Sequence, residues 1–271
     1  MPGVHRDMIH EKAVVTENRR LAEGVFSTVF RTEAARISKA GQFVMVGTGS
    51  DSRLLKRPIS ISGADPQSGE LRLVYKTVGY GTTELSLSKE GDAFDILGPA
   101  GNGFPVEKAS GKKNILLVAG GIGAPPLLYL LRELKKTGAG GDCITAVLGY
   151  RGEKYGLFLK DEFEKEAKVI ISSDDGSVGV QGTVMDAIRE KVTEADLIFA
   201  CGPLGMLKAV KGYASEKGIP AYISLEEKMA CGVGACLGCV VKTAAEDPHS
   251  HVNNARICTE GPVFEASEVM I

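Results

Sequence analysis

Three cysteines share one glycine-rich stretch near the end of the chain, Cys231, Cys236 and Cys239, at C-x4-C-x2-C spacing, and Cys258 follows after eighteen intervening residues. This is the plant-type pattern by which four thiolates hold a [2Fe–2S] cluster. It constrains the C-terminal part of the chain more tightly than any hydrophobic pattern can. One loop has to wrap an inorganic core, so several backbone N–H groups must turn toward sulfur. Gly232, Gly234 and Gly238 are expected to supply the positive-φ conformations that such a wrap needs. Zinc is the main alternative, but its sites pair one C-x2-4-C with a second or with histidines. Two disulfides are the other alternative.

The six cysteines come without a secretion signal: residues 1–12 are polar and charged. That points to intracellular thiols and a cytoplasmic location. Cys143 is expected to be a plain buried thiol, and Cys201 sits in an apolar, strand-like run. His5, His10, His249 and His251 lie in terminal or loop-like polar segments, and His249 and His251 are expected to be solvated. A Rieske arrangement needs two Cys and two His, and four Cys fit better. A net charge of −2 with no long basic run argues against a nucleic-acid partner. The uncharged run from Asn114 to Leu131 contains three Gly and two Pro. It therefore reads as strand, turn and helix, with no membrane span.

At 271 residues and 44% hydrophobic content the chain is expected to form two or three compact units. Residues 8 to about 100 read as short strands: Glu11–Thr16, Val25–Arg31, Phe43–Val46, Ile59–Ser62 and Leu71–Lys76. Gly, Pro and Asp punctuate them, and a helix is expected at Thr82–Ser88 with Thr82 as N-cap. This texture implies a small antiparallel barrel. From Lys113 the texture changes. Apolar strands at 114–119, 143–149, 168–173, 196–200 and 220–224 alternate with helices from about 125 to 136 and at 155–166, 184–191 and 204–217. Buried strands alternating with helices imply a doubly wound parallel sheet, with a ligand crevice at the strands' carboxyl ends. The expected units are a barrel over residues 1–106, an α/β domain over 107–224 and a small cluster domain over 225–271.

Four further stretches carry chemistry. Arg57-Pro58-Ile59-Ser60 places a planar, permanently charged donor suited to pyrophosphate at a strand mouth, with a hydroxyl for an electron-carrying ring. A surface Arg before a strand is the plain alternative. Val74-Tyr75-Lys76 runs into the turn Gly81-Thr82, where a helix start favours phosphate. Gly120–Pro126, with Gly121, Gly123, Ala124 and Pro125, departs from the GxGxxG fingerprint. Strand, glycines and then Pro at a helix start still allow close phosphate approach. Cys201-Gly202-Pro203 ends the fourth parallel strand, where a nicotinamide could stack. Asp174 and Asp175 end the third. They can accept hydrogen bonds from ribose hydroxyls and would repel a 2′-phosphate, which favours NAD over NADP.

Together these residues resemble the ferredoxin-reductase superfamily, in which a flavin barrel precedes a nucleotide domain. Within it, Leu97–Phe104, Ser224–Cys239 and Cys258–Phe264 look like the electron-transfer subunit family of dihydroorotate dehydrogenase B. The resemblance covers nearly the whole chain. It implies FAD at Arg57, Pro58, Ile59, Ser60, Val74, Tyr75, Lys76, Gly81 and Thr82. It also implies a [2Fe–2S] cluster on Cys231, Cys236, Cys239 and Cys258, and NAD on the nucleotide domain. The implied partner is a separate FMN-containing catalytic subunit that oxidises dihydroorotate, in a heterotetramer with two of each chain. Electrons would run from FMN through the cluster and FAD to NAD⁺. The span between Cys239 and Cys258 is longer than the family's usual loop.

The residues support the same order independently. A nicotinamide moves two electrons as hydride and a cluster moves one. A flavin does both, so it belongs between them. Two rivals remain. One is the flavin/iron–sulfur subunit of a sulfhydrogenase or of an NADH-dependent ferredoxin:NADP⁺ oxidoreductase. The other is a redox sensor, which would have no use for the nucleotide half.

Overall fold

The computed structural model describes residues 8–49, 54–138, 144–247 and 251–271. Cys143, His5, His249 and the first seven residues lie outside them.

Six strands close the expected antiparallel barrel. They are Ile9–Ala22 (β1), Val25–Arg31 (β2), Phe43–Val46 (β3), Arg57–Asp65 (β4), Glu70–Lys76 (β5) and Ala93–Ala100 (β6), in the order β1-β2-β5-β4-β3-β6. Alternation places Leu71, Leu73 and Tyr75 of β5 in the barrel interior, all buried. Arg72, Val74 and Lys76 stand on its outer face. The closing strand β6, absent from the sequence reading, pairs with β1 and β3. The barrel helix is Tyr80–Ser86 (α1), two residues earlier than expected, so Thr82 lies inside its first turn. The Thr82 hydroxyl accepts from the Val78 and Gly79 N–H groups at 2.9 and 3.3 Å.

The second unit is the expected doubly wound sheet. Its strands are Ile115–Gly120 (β7), Ile144–Tyr150 (β8), Lys168–Ser173 (β9), Val180–Gln181 (β10), Leu197–Cys201 (β11) and Ala221–Ser224 (β12). Its helices are Ala124–Lys136 (α2), Lys160–Glu164 (α3), Val184–Lys191 (α4) and Leu204–Lys217 (α5). The helix expected over 155–166 shrinks to α3. Gly156 and Leu159 both take positive φ, 84° and 66°, which an α-helix excludes. The strand order β10-β9-β8-β7-β11-β12 reverses direction between β7 and β11. That is the switch point where open parallel sheets bind ligands.

The C-terminal part adds a two-stranded ribbon, Val240–Lys242 (β13) with Asn254–Arg256 (β14). A last strand, Val263–Glu265 (β15), pairs antiparallel with β12 and so extends the nucleotide sheet. One continuous core joins barrel and sheet through α2, whose Leu127, Leu128, Leu130, Leu131 and Leu134 are fully buried. Each such leucine contributes roughly 1.5–3 kcal/mol. Tyr129 of α2 donates to the Ser38 carbonyl at 3.0 Å, and Phe104 packs edge-on against Phe199 of β11. The barrel is therefore held in place relative to the switch point. Among the described residues no helix is long and apolar enough to cross a membrane.

Candidate functional site

Two cavities meet at the seam between barrel and sheet. The first, about 540 Å³, is lined by Arg57, Pro58, Ile59 and Ser60 from β4 and by Val74, Tyr75 and Lys76 from β5. Both sequence stretches thus open onto one space, with Thr82 beside them. Gly81 lies behind Arg57: a Cβ at Gly81 would stand 2.1 Å from Arg57 Nε. The missing side chain leaves the berth in which the guanidinium rests, and Arg57 also donates to the Leu55 carbonyl. Burial pushes the Tyr75 hydroxyl up to about 12, outweighing its hydrogen bond with Thr28, so it stays neutral.

The second cavity, about 630 Å³, sits at the switch point. Gly121, Gly202, Pro203 and Asp174 line it. Gly123, Ala124 and Cys201 are buried behind its wall, and Pro125 is the second residue of α2. A Cβ at Gly123 would stand 2.0 Å from the Cys201 carbonyl oxygen, so the turn after β7 and the turn after β11 touch backbone to backbone. Burial raises the Cys201 thiol, which stays protonated. The two aspartates part company. Asp174 faces the cavity, whereas the Asp175 carboxylate accepts from the Ser177 hydroxyl at 2.6 Å and its N–H at 3.0 Å. Those bonds hold Asp175 below the usual carboxylate range. Ser172 lines the same cavity with its hydroxyl buried and unpartnered among the described residues, a donor group suited to a nucleotide.

Lys76, Ile122 and Glu226 line both cavities. Sequence reasoning missed Ile122 and Glu226. Glu226 keeps much of its surface toward solvent at the cavity mouth, yet the surrounding protein desolvates its carboxyl enough to raise it. It follows the end of β12 by two residues, at the carboxyl edge where ligands collect. Arg151, also missed, lines the second cavity.

From Glu226 the chain runs through Met229, still on the first cavity's wall, to Cys231 two residues on. The cysteine loop packs on the barrel there, and a Cβ at Gly232 would stand 2.6 Å from Met45 of β3. Gly232 and Gly234 take positive φ, as expected, whereas the third such residue is Leu237 at 54° and not Gly238. The Cys231 sulfur accepts from the Val233 and Cys236 N–H groups, and the Cys236 sulfur from the Gly238 N–H, each at 3.4 Å. Desolvation would raise the Cys231 thiol, but these bonds outweigh it and bring it down to about 6. Cys258 and Cys239 are buried side by side, and burial together with Cys239 pushes Cys258 up to about 12. The Cys258 turn is tied to the loop by Arg256, which donates to the Gly234 carbonyl at 3.2 Å and to Glu260 at 2.9 Å. N–H groups aimed at the Cys231 and Cys236 sulfurs are a feature of an iron–sulfur loop, although among the described residues no three of the four thiols are gathered closely enough to hold a metal ion.

An antiparallel barrel joined to a doubly wound sheet, with adjoining cavities at the seam, defines a ferredoxin-reductase-type oxidoreductase, here extended by a four-cysteine module. A model of the iron–sulfur cluster binding domain of dihydroorotate dehydrogenase B matches residues 226–270. The dihydroorotate dehydrogenase B (NAD(+)) electron transfer subunit of Geobacillus sp. (strain WCH70) is 38% identical over 97% of this chain and 100% of its own length. The Streptococcus pneumoniae subunit of the same name is 36% identical over 96% and 98%. The chain belongs to the family of dihydroorotate dehydrogenase B electron transfer subunits. A solved structure of an NADH-dependent reduced ferredoxin–NADP oxidoreductase superposes with a TM-score of 0.83 at 31% identity, over 96% of this chain and 90% of the other. The fold alone is shared with a ferredoxin NADP⁺ reductase from Neisseria gonorrhoeae, at a TM-score of 0.64 and 15% identity over 82% and 95%.

Proposed function

We propose that this chain relays electrons between a dihydroorotate-oxidising partner and NAD⁺, as the electron transfer subunit of dihydroorotate dehydrogenase B. The observation that carries the reading is the continuity of the site. Glu226 belongs to both cavities, Met229 to the first, and Cys231 begins the cysteine loop two residues on. FAD bound in the first cavity exchanges two electrons with a nicotinamide and one with a cluster, which is the chemistry this arrangement needs.

The chain's own residues supply position and charge. Arg57, seated against Gly81, offers its guanidinium to the pyrophosphate. Ser60 and Lys76 line the first cavity and would serve the flavin ring there, and Gly121, Gly202 and Pro203 line the second cavity beside it. Asp174 accepts the ribose hydroxyls of NAD. Cys231, Cys236, Cys239 and Cys258 would hold the [2Fe–2S] cluster, and the close approach of Gly232 to Met45 keeps their loop on the barrel. Leu237, 62% exposed at the tip of the cysteine loop, together with exposed Val233, faces the FMN-containing catalytic partner in a heterotetramer with two of each chain. The site lies in a cytoplasmic protein.

The test is a side-by-side assay. The chain alone should pass electrons from NADH to a dye without oxidising dihydroorotate, and adding the FMN subunit should restore that oxidation. Dihydroorotate turnover by the chain alone would refute the two-subunit reading. The second reading, a subunit of an NADH-dependent ferredoxin–NADP oxidoreductase, is favoured by the 31% identical structure. Co-purification of a different partner would decide for it.

A further inference from the structure

Barrel and nucleotide domain are tied by an ion triad that touches neither cavity. Arg72, on the outer face of β5, donates to Glu162 of α3 through two nitrogens, at 2.6 and 2.9 Å. Arg132 of α2 donates to the same carboxylate at 2.8 Å. Arg72 is fixed from behind, because its Nε donates to Ser27 of β2 at 2.9 Å, and Ser27 is fully buried. The side chains of Arg72 and Glu162 are only 14% and 24% exposed. Burial alone would raise the Glu162 carboxyl, and the two arginines more than reverse this, so it is ionised at neutral pH.

The elements that end in this triad are those that carry the two cavities. Lys76 stands on the same face of β5 as Arg72, about 13 Å further along the strand. The Gly121–Gly123 turn precedes the start of α2, about 14 Å from Arg132 along the helix. Phe158, just before α3, accepts through its carbonyl from the Tyr150 hydroxyl at 2.8 Å, and Tyr150 lines the nucleotide cavity. One carboxylate thus connects the strand that ends at Lys76 with the helix that begins beside Ile122, and Lys76 and Ile122 are where the cavities join.

We propose that Glu162 is a positioning residue for hydride transfer: its two-point bond to Arg72, with Arg132 behind it, sets the registry of the flavin cavity against the nucleotide cavity. The inference rests on the electron-relay reading above. Without the carboxylate, Arg72 remains pinned by Ser27 and faces Arg132 as a like charge across the seam. The seam then relaxes and the two cavities shift against each other, while the residues that line only one of them keep their places. Misplacement of reacting groups by about an ångström costs rate on the order of 100-fold, and binding within one domain is untouched.

The experiment compares wild type with Glu162→Gln, Arg72→Gln and the double variant, all carrying FAD and cluster. Flavin bleaching by saturating NADH should slow at least about tenfold in each single variant, and the double should be no slower than the slower single. Affinity for ADP-ribose, which reaches only the nucleotide cavity, should stay within about twofold of wild type. In Glu162→Gln without nucleotide, amide hydrogen exchange should rise in 72–76 and 160–164 and not in the barrel core. Wild-type bleaching rates in the variants, or slowed bleaching with unchanged exchange at the seam, would overturn the inference and leave the relay reading intact. Failure of wild type itself to bleach with NADH would sink both. If Glu162→Gln cannot be obtained folded, Arg72→Lys keeps the charge and loses the fork. Slowing of about threefold or more with unchanged ADP-ribose affinity supports the inference, and a wild-type rate overturns it.

Discussion

Gly81→Ala should separate flavin binding from stability in opposite directions. The three atoms nearest the added Cβ all belong to Arg57, at 2.1 Å for Nε, 2.6 Å for Cζ and 2.7 Å for Cδ. No side chain tolerates such contacts, so Arg57 must leave its berth. It can do so cheaply, because it is long and half-exposed and the atoms nearest the new Cβ are side-chain atoms. Gly81 sits in the first turn of α1 without positive φ, so alanine is compatible with its backbone and improves helix propensity by up to about 1 kcal/mol. The apoprotein should therefore melt no lower than wild type. The displaced guanidinium, however, no longer meets the pyrophosphate. Losing one charge-assisted hydrogen bond is worth about 1.5–3 kcal/mol, or roughly 10- to 100-fold in FAD affinity. Fluorescence titration of apoprotein with FAD and a thermal melt of the same sample read the two effects. An FAD affinity within threefold of wild type would refute the seating of Arg57 against Gly81. Weakened binding together with a lowered melting temperature would point to general damage instead.

Three further outcomes are expected. Cys258→Ser should lose the cluster while FAD stays bound, because Arg57–Ser60 and Val74–Lys76 lie on other elements; iron analysis should fall from about two per chain, and stoichiometric zinc in wild type would contradict the ligand assignment. Asp174→Ser should raise NADPH use relative to NADH by about fivefold or more, since removing one close like charge is worth on the order of 1 kcal/mol even when water screens it; Asp175→Ser, whose carboxylate is engaged by Ser177, should change the ratio less, and diaphorase rates with both nucleotides decide. In cluster-free protein Cys231, brought down to about 6, is mostly thiolate at pH 7, whereas Cys258, pushed up to about 12, is thiol. Iodoacetamide should thus label Cys231 first, labelling should fade as pH drops below about 6, and equal rates at both sites by mass spectrometry would contradict the loop's hydrogen bonding.

Where the chain's own sequence specifies an element locally, it was legible. Val25–Arg31, Phe43–Val46, Lys168–Ser173, Val184–Lys191 and Leu204–Lys217 are continuous or periodic apolar runs with Gly, Pro or charge at their ends, and they fold over those residues. Strand β6 was not legible, because Asp95, Gly98 and Pro99 break any strand pattern. It exists through its pairing with β1 and β3, which no local signal encodes. Strand β15 is likewise made by its partner β12. The site divides in the same way. Arg57–Ser60 and Val74–Lys76 read as separate motifs and line one cavity. Asp174 and Asp175 are indistinguishable in sequence, and only the bonds to Ser177 tell which one faces the nucleotide cavity. Ile122 and Glu226 acquire meaning from the strand order that brings β7, β11 and β12 together, which a linear reading does not contain.

The central claim is the order of the relay: electrons from the nucleotide reach the cysteine module by way of the first cavity. The direct measurement is anaerobic NADH reduction of the cluster in protein stripped of FAD, followed by its absorbance and by electron paramagnetic resonance, and repeated after FAD is restored. The account predicts that NADH leaves the cluster oxidised without FAD and reduces it once FAD is back. Reduction at the same rate in the FAD-free protein would contradict it.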